Sequence, residues 1–235
     1  MHHLVVDRWA RDSSPLHARH AQAKIAVLLA FLVAVSTTAA TTQWAFAAYA
    51  ALGLSAALFS RLPLVGLLRR AALVLPFSAT FALLTWWSGD ALRALALAEK
   101  SYLSGFAVLL LVATTPLTES IAALDAWHCP RALVLVIQFL YRYLFVIAEQ
   151  AQRMRQAASC RRGQRGRSFE FRAAAGALGV LFARSWQRAD GIHQAMLARG
   201  FQGRFVIAAP AAFRAVDGVF LAAGLTACVA VRFLL

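Results

Sequence analysis

Arg131-Ala-Leu-Val-Leu-Val-Ile-Gln-Phe-Leu-Tyr-Arg-Tyr-Leu-Phe-Val-Ile-Ala148 is the stretch on whose reading the fold turns. It is apolar and nearly long enough to cross a bilayer, yet Arg142 sits in its middle. If it crosses, residues 150–205 change sides with arginines at 153, 155, 161, 162, 165, 167, 172, 184, 188, 199 and 204 against only Glu170 and Asp190. Eleven minus two leaves +9 on the outer face. Loops rich in arginine stay in the cytosol, and an arginine near mid-bilayer costs roughly 2.5–3.5 kcal/mol even on lenient insertion scales. The expected structure is therefore a long helix lying against or dipping into the cytosolic face, started by Pro130 at its first turn. A sixth span with Arg142 snorkelling to the interface is the alternative.

Working outward, apolar runs lie at about 25–42, 44–60, 71–88, 102–118 and 211–234. With 61% hydrophobic residues, 14% charged residues and a mean hydropathy of +0.64, the chain is far more apolar than a soluble domain. The first two runs are joined by an uncharged Thr-Thr-Ala-Ala-Thr-Thr-Gln link, which suits the outside. The next link holds Arg61, Arg69 and Arg70 and suits the inside. In the link after that, Asp90 and Glu99 balance Arg93 and Lys100. These signs predict an all-α integral membrane protein with about five transmembrane helices and long cytoplasmic helices. Its parts are a cytosolic lead-in at 1–24, a four-helix membrane region at 25–118, a cytoplasmic region at 119–205 and a last membrane helix at 211–234. The N-terminus carries Asp7, Arg8, Arg11 and Asp12, unlike a cleaved secretory signal, so the lead-in is expected to be retained.

The net charge of +14 comes from arginine, since Lys24 and Lys100 are the only lysines. In so apolar a chain it points to cytosolic loops facing anionic lipid rather than to nucleic acid. Cys129, Cys160 and Cys228 fit no CxxC pattern, and the six histidines do not cluster at ligand spacing apart from His2-His3, so no metal site and no cofactor are expected. Asp125-Ala126-Trp127-His128-Cys129-Pro130 reads as a helix junction. There is no GxxxxGK[ST], HExxH or GxSxG, and hence no expectation of an enzyme.

The cytoplasmic region divides at its glycines. One helix ends near Arg162, before Gly163-Gln164-Arg165-Gly166. A second runs from about Phe169 to Arg199 and stops at Gly200, a left-handed cap position. At about 100° per residue, Arg184, Arg188 and Arg199 fall on one stripe. Leu178, Phe182, Ala189, Ile192 and Met196 form a separate apolar face.

These residues resemble a known family. Ser14-Pro15-Leu16-His17 leading to Lys24, Phe139-Leu140-Tyr141-Arg142-Tyr143, Arg153-Met154, and Arg184-Ser185-Trp186-Gln187-Arg188-Ala189 running into Ala195-Met196-Leu197-Ala198-Arg199-Gly200-Phe201 look like the transmembrane T component of energy-coupling factor importers. The resemblance is strongest to the cobalt-transporter CbiQ branch. It implies two Ala-Arg-Gly-type motifs that insert into grooves on two ATP-binding subunits of CbiO type. It also implies a separate substrate-binding membrane component of CbiM/CbiN type, with the assembly in the bacterial inner membrane. The second motif is complete in Ala198-Arg199-Gly200. The first is degenerate: Cys160-Arg161-Arg162 keeps the Ala-x-x-Ala-Arg spacing through Ala157 and makes Arg161 the docking residue, whereas a shift by one uses Arg162 with Gly163.

Arginine suits such a role because its planar fork holds a carboxylate in two parallel hydrogen bonds. Arg184 and Arg188 extend the basic stripe leading to Arg199. The competing readings of Arg199 are capping of its own helix's carbonyls and binding of lipid phosphate. The functional expectation is a non-catalytic coupling subunit for cobalt uptake. Nickel or biotin in the same role, a membrane-bound metal-handling enzyme and a permease are the alternatives.

Overall fold

The computed structural model describes residues 14–127, 129–161, 167–203 and 213–234. The described residues are helical, with no strand among them, and pack as two units: residues 1–123 with 209–235, and residues 124–208.

In the first unit α1 is Ala21–Thr37, α2 Gln43–Phe59, α3 Leu64–Ala71, α4 Leu75–Trp87, α5 Ala91–Thr114, α6 Leu117–Ala126, which runs on into the second unit, and α9 Ala215–Leu234. Helices α3 and α4 make one apolar rod from Leu64 to Trp87, joined through a 3₁₀ turn at Ala72–Val74. The cause is Pro76 in the first turn of α4: it has no N–H, so the helical ladder cannot run through it unbroken. Thr115 is extended (φ −135°, ψ 115°) because Pro116 disfavours helical angles in the residue before it, and α5 ends there.

Three rods of this unit, Leu64–Trp87, Ala91–Thr114 and α9, are long and apolar enough to cross a membrane, and α1 and α2 are shorter apolar helices; the links between them differ from expectation in two places. Arg69 and Arg70 lie in the last turn of α3 rather than in a loop. Arg93, Glu99 and Lys100 lie within α5, leaving only Ser88–Asp90 between α4 and α5. The expected fourth run at 102–118 thus begins eleven residues too late, because charges in the first turns of α5 hid the start of the helix.

Side chains of Phe31, Val35, Phe46, Tyr49, Leu103 and Cys228 pack into one core. Ala57, Leu62, Leu67, Phe106 and Ala113 form another. Between them the helices meet at glycines. A Cβ on Gly53 would lie 3.2 Å from the Phe106 ring, one on Gly105 3.0 Å from Val74, and one on Gly224 2.8 Å from both γ-methyls of Val27. Without a hydrophobic drive between helices in lipid, this close approach supplies the packing attraction. The outward face remains apolar, with Val33, Leu58, Phe77 and Trp87 exposed, as lipid contact allows. The chain is an all-α, multi-pass membrane protein.

In the second unit α7 is Arg131–Cys160 and α8 Arg167–Ala198. Helix α7 runs unbroken for 30 residues and holds a window long and apolar enough to cross a membrane. Length and composition therefore admit α7 as a sixth span, and the choice between five and six rests on the charge argument.

Candidate functional site

Helices α7 and α8 pair antiparallel. Arg188 Nη2 donates to Gln150 Oε1 at 3.5 Å, while Met154 and Ala158 share a groove of about 470 Å³ with Ala174, Ala177 and Leu181. Rising numbers on one helix thus meet falling numbers on the other. Ala151, Ala158, Ala173, Ala174 and Ala177 line the seam, with Arg155 and Ser159 as its polar members. Arg153 is engaged on its own helix by Glu149, at 2.6 Å one turn away.

Antiparallel pairing sends the two arginine motifs to opposite ends. With Gln150 level with Arg188, Arg199 is level with about residue 139. At 1.5 Å per residue, Arg161 is displaced from Arg199 by roughly 30 Å along the pair. Neither a single carboxylate nor one small groove can engage both.

The end of α8 has a defined geometry. Gly200 is left-handed at φ +75°, Phe201 N–H donates to the Met196 carbonyl at 3.0 Å, and Gly200 N–H donates to the Leu197 carbonyl at 3.0 Å. Those two bonds are the Schellman motif, with Arg199 at the C-cap and Gly200 at the position that requires positive φ. The carbonyls of Met196 and Leu197 are thereby satisfied by backbone, which leaves the Arg199 side chain no capping task at them. Arg199, Ala198 and Gly200 are exposed, and among the described residues the Arg199 guanidinium has no hydrogen-bond or ion-pair partner.

The end of α7 is built differently. Arg161 is the C-cap in right-handed geometry (φ −87°, ψ −5°), its N–H donating to the Ala157 carbonyl at 3.3 Å. Arg161 and Cys160 are exposed. Arg162 and Gly163 lie outside the described residues. Of the stripe toward Arg199, Arg184 is exposed, whereas Arg188 is half-buried and turned to Gln150. On the apolar face, Ile192 and Met196 are half-buried, while Leu178 and Phe182 remain 66% and 72% exposed. No group of three or more His, Cys, Asp or Glu side chains is brought together among the described residues.

The sequence profile of the CbiQ family, described as cobalt transport protein, matches residues 12–207. The chain belongs to this cobalt transport protein family. It is 32% identical over 113 residues to the cobalt transport protein CbiQ of Rhodobacter capsulatus, covering 47% of this chain and 46% of that one. It is also 27% identical over 97 residues to an uncharacterized protein of Methanocaldococcus jannaschii, covering 41% and 36%. The matched stretches thus span less than half of the length of each relative. Membership of this family makes the chain a membrane transport protein component.

Reasoning from the sequence passed over Asp217. It lies in the first turn of α9, 3% exposed, and accepts hydrogen bonds from the backbones of His20 and Arg214. The signal was present: a carboxylate at the start of an apolar run must be paired if it is buried.

Proposed function

We propose that the chain is the transmembrane coupling subunit of an energy-coupling factor importer, passing the movement of two cytosolic ATP-binding subunits to a membrane component that captures cobalt. The observation that carries this reading is the presentation of Arg199: a complete Schellman turn holds it exposed at one end of a helix pair, with Arg161 at the other. Two exposed guanidinium groups roughly 30 Å apart suit two equivalent acidic grooves, one on each ATP-binding subunit. The α7–α8 pair then lies on the cytosolic side of the bacterial inner membrane, as its arginine content favours. The chain performs no catalysis in this reading.

Co-purification tests it directly. Arg199→Ala removes a forked, charge-assisted contact and leaves the partner's carboxylate unpaired, costing about 2–5 kcal/mol if the pair is buried. Arg161→Ala weakens binding less, because Arg162 stands beside it. The combined Arg161→Ala/Arg199→Ala chain should lose the ATP-binding subunits and cobalt uptake while remaining folded in the membrane. Normal uptake by that double variant would return these arginines to a lipid-facing role.

A further inference from the structure

The lead-in motif Ser14-Pro15-Leu16-His17…Lys24 is left without a task by docking at Arg161 and Arg199, and the structure shows what it holds. Lys24 is 5% exposed. Its Nζ donates to the Thr114 carbonyl at 2.9 Å and to the His17 carbonyl at 3.2 Å. His17 Nε2 lies 3.3 Å from the Ala113 carbonyl, and Nδ1 lies 2.6 Å from Ser14 Oγ. A carbonyl can only accept, so Nε2 carries a proton, and the Ser14 hydroxyl completes the ring's hydrogen bonding at Nδ1. The carbonyls of Ala113 and Thr114 are among the last four of α5, which have no partner within the helix. A cation from another segment, placed at the negative end of the helix dipole, takes the place of a glycine cap.

The same segment grips α9. The Asp217 carboxylate accepts from Arg214 N–H at 3.0 Å, the back-bond of a capping box on its own helix. Its other oxygen accepts from His20 N–H at 3.1 Å, at the start of α1. Arg19 Nη1 stands 4.0 Å away. Glu119 on α6 and Asp217 both attract the Lys24 charge, and Arg19 opposes it. A buried cation and a buried carboxylate, each satisfied mainly by backbone, thus tie the start of α1, the end of α5 and the start of α9 at one end of the bundle.

What gives this knot a functional reading is where the chain enters and leaves. The chain passes from the first unit to the second after Ala123 and returns near Ala209. The outgoing path runs from the end of α5 at Thr114–Thr115 through α6, and α9 begins at Ala215, two residues before Asp217. Lead-in residues hold both the end of α5, from which α6 leads toward the second unit, and the start of α9, to which the chain returns.

We infer that the lead-in is a latch through which motion of the α7–α8 unit is delivered to the membrane helices, with Lys24 as its positioning residue. The inference rests on the coupling-subunit reading above. A residue that only stabilised the fold would, when lost, lower ATP hydrolysis and ion uptake together. A latch that transmits displacement has a different signature: the ATP-binding subunits still dock and still hydrolyse, but fewer ions cross per ATP.

The experiment uses the whole transporter, reconstituted in liposomes, with cobalt uptake and ATP hydrolysis measured on the same preparation. Lys24→Met keeps the buried stem and removes the cation; Lys24→Arg keeps the charge; His17→Ala removes one carbonyl contact and protects the test should Lys24→Met not assemble. The expected result is normal co-purification with Lys24→Met, a fall of about tenfold in cobalt per ATP, the scale of one hydrogen bond to a charged group, a smaller fall with His17→Ala and partial recovery with Lys24→Arg. An unchanged ratio in both Lys24→Met and His17→Ala, or losses of uptake and hydrolysis in proportion, overturns the latch. Failure of the unaltered chain to co-purify with ATP-binding subunits instead overturns the coupling-subunit reading itself.

Discussion

Gly224→Ala is the sharpest test of how the membrane bundle holds together. The added Cβ would sit 2.8 Å from both γ-methyls of Val27, closer than carbon atoms approach one another, and 3.4 Å from its Cβ. Rotating Val27 gives little relief, because a β-branched side chain in a helix keeps one strongly preferred rotamer. Helices α1 and α9 must therefore separate by about 1 Å, and overpacking of this kind costs roughly 1–3 kcal/mol. Val27→Ala deletes both opposing methyls, so the double variant should recover most of the loss: a coupling energy of about 1–2 kcal/mol in a double-mutant cycle, where distant sites would add within about 0.5 kcal/mol. Thermal or denaturant unfolding of the four proteins in one detergent measures it. Strict additivity would show that the α1–α9 crossing is not packed as described, and the argument from glycine contacts would fall with it.

Two further outcomes bear on the site and on topology. Gly200→Ala, which forces a residue with a Cβ into φ +75°, costs about 1–2 kcal/mol at the α8 terminus; it should weaken co-purification of the ATP-binding subunits although no charge is lost, whereas Gly200→Asn should be milder, and equal binding by both variants would refute the turn's role. After Cys129→Ser and Cys228→Ala, the exposed Cys160 should resist a membrane-impermeant maleimide added from outside and react once cells are permeabilised, while Ser88→Cys in the turn before α5 should react from outside; labelling of Cys160 from outside would restore α7 as a spanning helix.

Much of this was legible because apolar run length and arginine placement are long-range, redundant signals. Each run near 18 residues left little choice but a helix, and Gly200 marked the end of α8 because few other residues tolerate left-handed backbone. Boundaries failed where charge and helix coexist. Glu99 and Lys100 read as a loop, but the Lys100 ammonium donates to the Ser36 carbonyl at 2.9 Å, so the charge is reconciled with a helical position by a neighbour distant in sequence. Arg188 read as one of three equivalent arginines, yet Gln150, 38 residues away, turns it inward. Propensity and periodicity carry no information about such partners.

The latch was illegible for the same reason, and the way it was missed is instructive. Lys24 closes the lead-in just before the first apolar run, and Asp217 lies at the start of the last one. Each alone would be expensive to bury. Neither forms its principal contacts with the other: Lys24 spends its protons on the carbonyl end of α5, and Asp217 accepts from the amide starts of α1 and α9. Opposite helix ends present opposite partial charges, so a bundle with alternating helix directions collects both kinds at the same face. One cation and one anion can then be buried there without a direct ion pair, and their positions follow from helix direction alone. That is why a lysine before the first span and an acid at the start of the last belong to one structure although nearly two hundred residues separate them.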